Sequence, residues 1–216
     1  MKHTIVAMTE AHIPAVLAIQ SVCYSEDFIE RYESYQEKLK HNPDTCFVCL
    51  ARSGEREAAV GYIVALQTQR YVLPSLDSTE LAVSPLFVRR AQQQQQRHAP
   101  PSPDDSPLST EEEGGEPARV IDTLYIHDIA LHPDHRGGGR SQALVYAVLD
   151  QARRLAMPHV ALVAVAGADR YWTGAGFEPQ PTQTLPRALQ HKLQGYGDAA
   201  VYMELPPAAR RQPPSA

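Results

Sequence analysis

Three consecutive glycines, Gly137-Gly138-Gly139, constrain this chain more than any other feature. They lie in Leu131-His132-Pro133-Asp134-His135-Arg136-Gly137-Gly138-Gly139-Arg140-Ser141-Gln142, where an apolar run ends and a helical pattern begins. Glycine takes backbone conformations closed to other residues and lets a ligand approach the main chain. The first amides of a helix have no internal partner, and the helix dipole adds partial positive charge there. Strand, glycine turn and helix start together make a phosphate-binding geometry. A P-loop would need Lys followed by Ser or Thr after its last glycine, and Arg140-Ser141 does not supply it. The triplet also lacks the spacing of a dinucleotide fingerprint.

The flanking periodicity predicts a mixed α/β sheet. Residues 3–9 read as a strand. Residues 11–24 read as a helix, with Ile13, Val16, Leu17 and Cys23 at helical spacing and Pro14 in its first turns. Residues 28–41 read as a second, more polar helix. Residues 45–52 and 58–67 read as two strands joined by a turn at Ser53-Gly54-Glu55-Arg56. A long strand is expected over 121–132. A helix is expected over 141–157, with Leu144, Val148, Ala152 and Leu155 inward and Arg153 and Arg154 at its negative end. Residues 159–165 are apolar almost throughout, as in a strand covered on both faces. A short helix over 168–173 and a last strand over 200–205 complete the pattern.

Between these halves the composition changes. Gln92 to Gln96 form a glutamine run, followed by Pro-, Ser- and Glu-rich sequence to Pro117. Such composition buries too little apolar surface to offset its ordering entropy. Residues 90–118 are therefore expected to be a disordered insertion in one domain made of 1–89 and 119–206, with 207–216 a flexible tail. The net charge is −5, but six acidic residues and no Lys or Arg fall between His98 and Ala118, so the remainder carries +1. No basic field for nucleic acid is implied. No run of 18 uncharged apolar residues suggests a membrane span, and the N-terminal apolar run is too short for a signal peptide. A cytoplasmic protein with no membrane or nucleic-acid partner is expected. Cys46 and Cys49 form a C-x-x-C match, but three apart on a strand they point to opposite faces, so two separate buried thiols are expected.

The flanks of the glycine turn resemble the GNAT superfamily of N-acetyltransferases. Arg136-Gly137-Gly138-Gly139-Arg140-Ser141 fits that family's Q/R-x-x-G-x-G/A pattern, with Ser141 for the final small residue. Tyr171-Trp172-Thr173-Gly174-Ala175-Gly176-Phe177 resembles its F-Y-x-x-x-G-F block at the expected separation. The resemblance covers residues 119–205 well and 3–89 weakly. It implies a mostly antiparallel α/β sheet with a central, splayed parallel strand pair flanked by helices. It implies acetyl-CoA as cosubstrate, with backbone contacts from Ile129, Ala130 and Leu131 to the pantetheine arm. Amide contacts from Gly137, Gly138, Gly139, Arg140, Ser141 and Gln142, beside Arg136, would hold the pyrophosphate.

Tyr125-Ile126-His127-Asp128-Ile129-Ala130-Leu131 is similar to the arylalkylamine N-acetyltransferases, which carry a histidine at the place of His127. Acyl transfer to an amine needs an acceptor for the amine proton, and His127 is the candidate base or relay. Regular alternation would set it on one face with Tyr125 and Ile129; a bulge would change that. His127, His132 and His135 lack the carboxylate or thiolate spacing of a zinc site. Trp172 stands where the family usually has a tyrosine that protonates the leaving thiolate, and an indole N–H is too weak an acid for that. Trp172 is expected to pack against the pantetheine or shape the pocket. Tyr171 is about 100° off that face if the segment is helical, which leaves Tyr196, on a loop before the last strand, as the candidate acid. Tyr24, Glu26, Asp27, Phe28, Glu30 and Glu33 lie where the superfamily binds its acceptor. Of these, Tyr24, Phe28, Glu30 and Glu33 are candidate contacts for a cationic amine. The expected acceptor is a small primary amine, an arylalkylamine or a polyamine. A peptide amine, or a non-catalytic acetyl-CoA-binding module, are the alternatives.

Overall fold

The computed structural model describes residues 2–74, 77 and 121–207. The insertion expected over 90–118 and all but the first residue of the expected tail lie outside the described residues. Strand β1 (Lys2–Ala7) is followed by helix α1 (Ile13–Cys23), with Pro14 in its first turn where a missing N–H does no harm. Helix α2 (Tyr32–His41) starts later than its periodicity suggested. Glu26–Phe28 forms a separate 3₁₀ turn, and extended backbone at Ile29 carries the chain on into α2. Strands β2 (Cys46–Ser53) and β3 (Arg56–Thr68) make a hairpin whose turn places Gly54 at φ +62°. Then come β4 (Thr123–Leu131), α3 (Arg140–Arg154), β5 (His159–Ala164), α4 (Asp169–Gly174), β6 (Glu178–Pro179), α5 (Arg187–Gln194) and β7 (Val201–Glu204).

The strands form one seven-stranded sheet in the order β1-β2-β3-β4-β5-β7-β6. All pairings are antiparallel except β4 with β5. That pairing runs from Thr123 opposite His159 to Ile126 opposite Leu162. Beyond it β4 continues to Leu131 and β5 to Ala164 without bonding to each other, so the two strands splay. The fold is the mixed, mostly antiparallel α/β arrangement with a splayed parallel pair that the sequence led us to expect.

Helix α3 packs across β1 to β4, burying Leu144, Val145, Val148 and Ala152 against Cys49, Ile63, Leu124, Ile126 and Leu162. Helices α1 and α2 cover the other face with Ile13, Val16, Ile19 and Tyr35 against Cys46, Val48, Tyr62 and Val64. Cys46 and Cys49 thus sit on opposite faces as free thiols. Burial pushes the Cys46 thiol up to about 12, so it stays protonated and packs as a small apolar group. Farther along that face, α5 places Leu189 and Leu193 over Tyr125, Ala161 and Tyr202. No described helix is long and apolar enough to cross a membrane.

Candidate active site

The site forms where β4 leaves β5, and an irregularity in β4 decides which side chains enter it. Opposite Val64 and Ala65 of β3 stand Asp128 and Ile126, so His127 is the extra residue of a β-bulge. The bulge breaks the alternation. Tyr125 packs with α5, and His127 and Asp128 both reach partners on the α1–α2 side. Ile129 then turns to the α3 side, and Ala130 back to the α1 side. A regular strand would have kept His127 and Ile129 together; the bulge separates them.

The splay opens a cleft of about 720 Å³. Residues 125–131 of β4 line it, with the end of β5, the end of α1, Phe28, Glu30, Arg136, Gly137, Ser141, Tyr171, Trp172 and Tyr196. The main chain of β4 is divided between two uses. His132 N–H donates to Val60 of β3, so antiparallel alternation turns the polar groups of Ala130 towards β3 and those of Ile129 and Leu131 towards the cleft. Among the three residues expected to meet the pantetheine arm, Ala130 therefore offers the cleft its side chain and not its amide. The end of α1 occupies the carbonyls of the other two. Tyr24 donates its hydroxyl to Ile129 O at 2.7 Å, and Cys23 its thiol to Leu131 O at 3.2 Å.

At one end of the cleft lies the glycine turn. Gly137, Gly138 and Gly139 have φ of +81°, +60° and +74°, all in the left-handed region where a Cβ is strained. The first main-chain bond of α3 runs from Ala143 N–H to Gly139 O, which leaves the amides ahead of it outside the helical ladder. Arg140 folds back over the turn. Its Nη1 donates to Gly137 O at 2.8 Å and to His135 O at 3.2 Å, while its buried Nε has no partner. Arg136 lines the cleft and reaches Leu131 O through Nε at 3.4 Å. Gly138, Gly139, Arg140 and Gln142 shape the turn, and Gly137 and Ser141 line the cleft itself. The donors, the positive helix end and the bare glycine backbone fit a pyrophosphate.

Beside the bulge, the Asp128 carboxylate takes hydroxyl hydrogen bonds at Oδ2 from Tyr62 at 2.5 Å and Tyr35 at 2.6 Å. Tyr24, whose hydroxyl donates to Ile129 O, lies near enough to feel the charge of this carboxylate. Burial and the Asp128 charge hold all three phenols well above their ordinary range, so they stay protonated donors. His127 Nε2 lies 2.9 Å from Glu30 Oε1, and its ring centroid 6.3 Å from that of Tyr125.

The expected acceptor contacts divide. Tyr24 and Phe28 line the cleft; Glu33 is exposed and does not. Glu30 lines it, but its side chain is only 2% exposed and its carboxylate is engaged by His127 and Lys38, so it is no free anion for a cationic ligand. Tyr196 does reach the cleft from the loop after α5; burial, then Glu30, raise its phenol, which therefore stays protonated. Trp172 is 5% exposed, stacked edge-on against Phe177 at 5.4 Å, and shapes the cleft wall as expected. Tyr171 is not turned away: it lines the cleft beside Trp172, the two ring centroids 5.0 Å apart.

Sequence reasoning missed Asp128, Tyr35, Tyr62 and Lys38. Asp128 stood in the motif next to His127, but only the bulge brings both to one face. Tyr35 and Lys38 are three apart on α2, a spacing that marks a common face and says nothing of what it meets.

Residues 113–177 match the model of the acetyltransferase (GNAT) family. No curated protein is similar in sequence. Among solved structures, the chain is similar to a chain of the NatC complex bound to Gag peptide and CoA, at 15% identity and TM-score 0.59, over 95% of this chain and 99% of that one. It is similar to Ard1 from Thermoplasma volcanium, at 15% identity and TM-score 0.55, over 94% and 96%. It also resembles the ribosomal-protein-S18-alanine N-acetyltransferase from Escherichia coli, at 13% identity and TM-score 0.51, over 95% and 94%. At such identities the likeness establishes the fold. The family pattern over 113–177 supports an N-acetyltransferase of the GNAT superfamily, and the fold of the described residues is consistent with it.

Proposed function

We propose that this protein transfers an acetyl group from acetyl-CoA to a small primary amine, an arylalkylamine or a polyamine, by direct attack with both substrates bound. The observation that carries this reading is the bulge at His127, which sets an imidazole and the Asp128 carboxylate side by side in a cleft that ends on the glycine turn. The pyrophosphate of acetyl-CoA would lie against the amides from Gly137 to Gln142, and its pantetheine along Ile129 and Leu131. The Asp128 charge draws the amine in as its ammonium ion. His127 takes the proton, because an ammonium has no lone pair with which to attack. Holding the two substrates in one cleft replaces a large entropic barrier. Tyr196 is the proton donor for the departing thiolate, and Trp172 excludes water along the wall.

A second reading, acetylation of a peptide amine, is favoured by the fold likeness to the NatC chain, whose structure holds a peptide and CoA. Acetyl-CoA consumption measured against arylalkylamines, polyamines and short peptides separates the two. The small amines should be turned over with at least about tenfold higher kcat/KM, a difference of about 1.4 kcal/mol in transition-state stabilisation. Preference for peptides would establish the second reading. Binding of acetyl-CoA without turnover of any amine would make the protein a binding module.

The glycine turn gives a separate expectation. Gly139→Val places a β-branched side chain at φ +74° with its Cβ 3.5 Å from Gln142 Oε1. Calorimetric affinity for CoA should fall by about tenfold or more, roughly the 1–2 kcal/mol that a left-handed non-glycine residue costs. The same Kd in a folded variant would remove the turn from the binding site.

A further inference from the structure

His127 stands at the end of a buried polar chain that runs through Glu30 to Lys38. Its side chain is 1% exposed and that of Glu30 2%. Glu30 Oε1 faces His127 Nε2 at 2.9 Å. Glu30 Oε2 accepts from Lys38 Nζ at 2.5 Å, from Ser34 Oγ at 3.1 Å and from the Asp77 amide at 2.7 Å. The Lys38 side chain is wholly buried and also bonds Ser34. The backbone of Glu30 is fixed as well. Its N–H donates to Gln20 Oε1 at 3.0 Å, and Gln20 Nε2 donates to Tyr35, the phenol that holds Asp128. The carboxylate is thus pinned by His127, by α2 and by the Asp77 amide, and the Glu30 main chain by α1.

Burial alone would raise the Glu30 carboxyl, but the hydrogen bond to His127, with the charge and hydrogen bond of Lys38, outweighs it and holds it far below the usual carboxylate range. An ionised carboxylate only accepts hydrogen bonds. His127 must therefore present N–H at Nε2, and the neutral ring then carries its lone pair at Nδ1. His127 lines the cleft, and Nδ1 takes no hydrogen bond among the described residues.

We propose that Glu30, braced by Lys38, is a positioning residue that fixes His127 in the Nε2–H tautomer and makes Nδ1 the nitrogen that receives the amine proton; this rests on the N-acetyltransferase reading above. In the proton transfer, the ammonium N–H bond breaks and an Nδ1–H bond forms. The ring gains one positive charge directly opposite the Glu30 carboxylate. Loss of that proton to water returns the neutral ring. A carboxylate in this place stabilises the imidazolium and sets the tautomer without itself being protonated.

Histidine labelled with ¹⁵N reports the tautomer without turnover, the His127 signals being identified by their absence in His127→Gln. The wild-type ring should be protonated at Nε2 and bare at Nδ1. Glu30→Gln alone would strand the Lys38 charge, so the informative variant is Glu30→Gln with Lys38→Met, which leaves no unpaired buried charge. This double variant should keep the wild-type melting temperature within a few degrees. It should show a mixed tautomer and lose kcat by at least about tenfold, short of the roughly 10⁴ that follows when the carboxylate of a serine-protease triad is neutralised. Acetyl-CoA affinity and the KM for the amine should stay unchanged. A wild-type ring protonated at Nδ1, or a double variant with full kcat, would overturn the proposal. If instead no amine is acetylated, the enzymatic reading fails, and the tautomer spectra still decide whether Glu30 positions the ring; if His127→Gln keeps the full rate, the reading stands and the role of Nδ1 as proton acceptor is overturned.

Discussion

Replacing His127 with Gln should lower kcat by about 10²-fold, the lower end of what general-base assistance contributes, because a water chain can carry part of the proton traffic. Glutamine fills similar space and can still hydrogen-bond Glu30, but it takes no proton at these pH values. Acetyl-CoA affinity should hardly change, since the glycine turn and the Ile129 and Leu131 main chain lie elsewhere along the cleft. The comparison must be made on one amine across pH. Deprotonation of the free amine also slows the reaction in acid, so the wild-type profile by itself decides nothing. A variant with both the full rate and the wild-type pH profile would make His127 structural. Asp128, the other ionisable side chain that the bulge turns to this face, would then be the next candidate for the proton.

The second large effect concerns stability. Lys38→Met alone leaves the Glu30 carboxylate without its strongest cation, and Glu30→Gln alone leaves an ammonium buried at 0% exposure. Breaking such a pair from one side costs about 3–5 kcal/mol, whereas replacing both partners by uncharged groups of similar size is often neutral. Urea unfolding should therefore show each single variant strongly destabilised and the double variant close to wild type. Two destabilisations that simply add would mean that the two side chains do not act as a pair. The pair also dictates an acid dependence. Glu30 is depressed from its ordinary value of 4.5. Its contribution is therefore fully present above that value and is lost as pH falls towards the much lower folded one. Wild-type stability should decline below about pH 4.5 more steeply than that of the double variant. Parallel acid curves would show that Glu30 is not held ionised by its neighbours.

The order of these two experiments matters for interpretation. A single Glu30 variant that loses activity because it unfolds says nothing of mechanism, and the double variant separates the two effects. Glu30 also ties the His127 ring to the α1–α2 connection, its carboxylate facing the imidazole and its backbone amide held by Gln20.

Much of this protein could be read locally. Three glycines before a helical stripe dictate a left-handed turn and free amides whatever surrounds them, and all three glycines do take positive φ. The apolar runs of β2 and β3 and the stripe of α3 record what is buried, because apolar burial acts on each residue separately. Helix α5 escaped the periodicity, although Leu189 and Leu193 stand four apart and both are buried. Its polar remainder and the two neighbouring prolines concealed it. What the sequence could not decide was where side chains from distant segments meet. A bulge is a mismatch between two strands, so nothing within β4 alone reveals that His127 is the extra residue; that requires the register of β3. For the same reason Glu30, 97 residues from His127, read as a free acceptor contact, and Lys38 as one more charge on a polar helix. Charges are paired in space, and only the packing of α1 and α2 onto the sheet turned a glutamate, a lysine and a histidine into one buried chain.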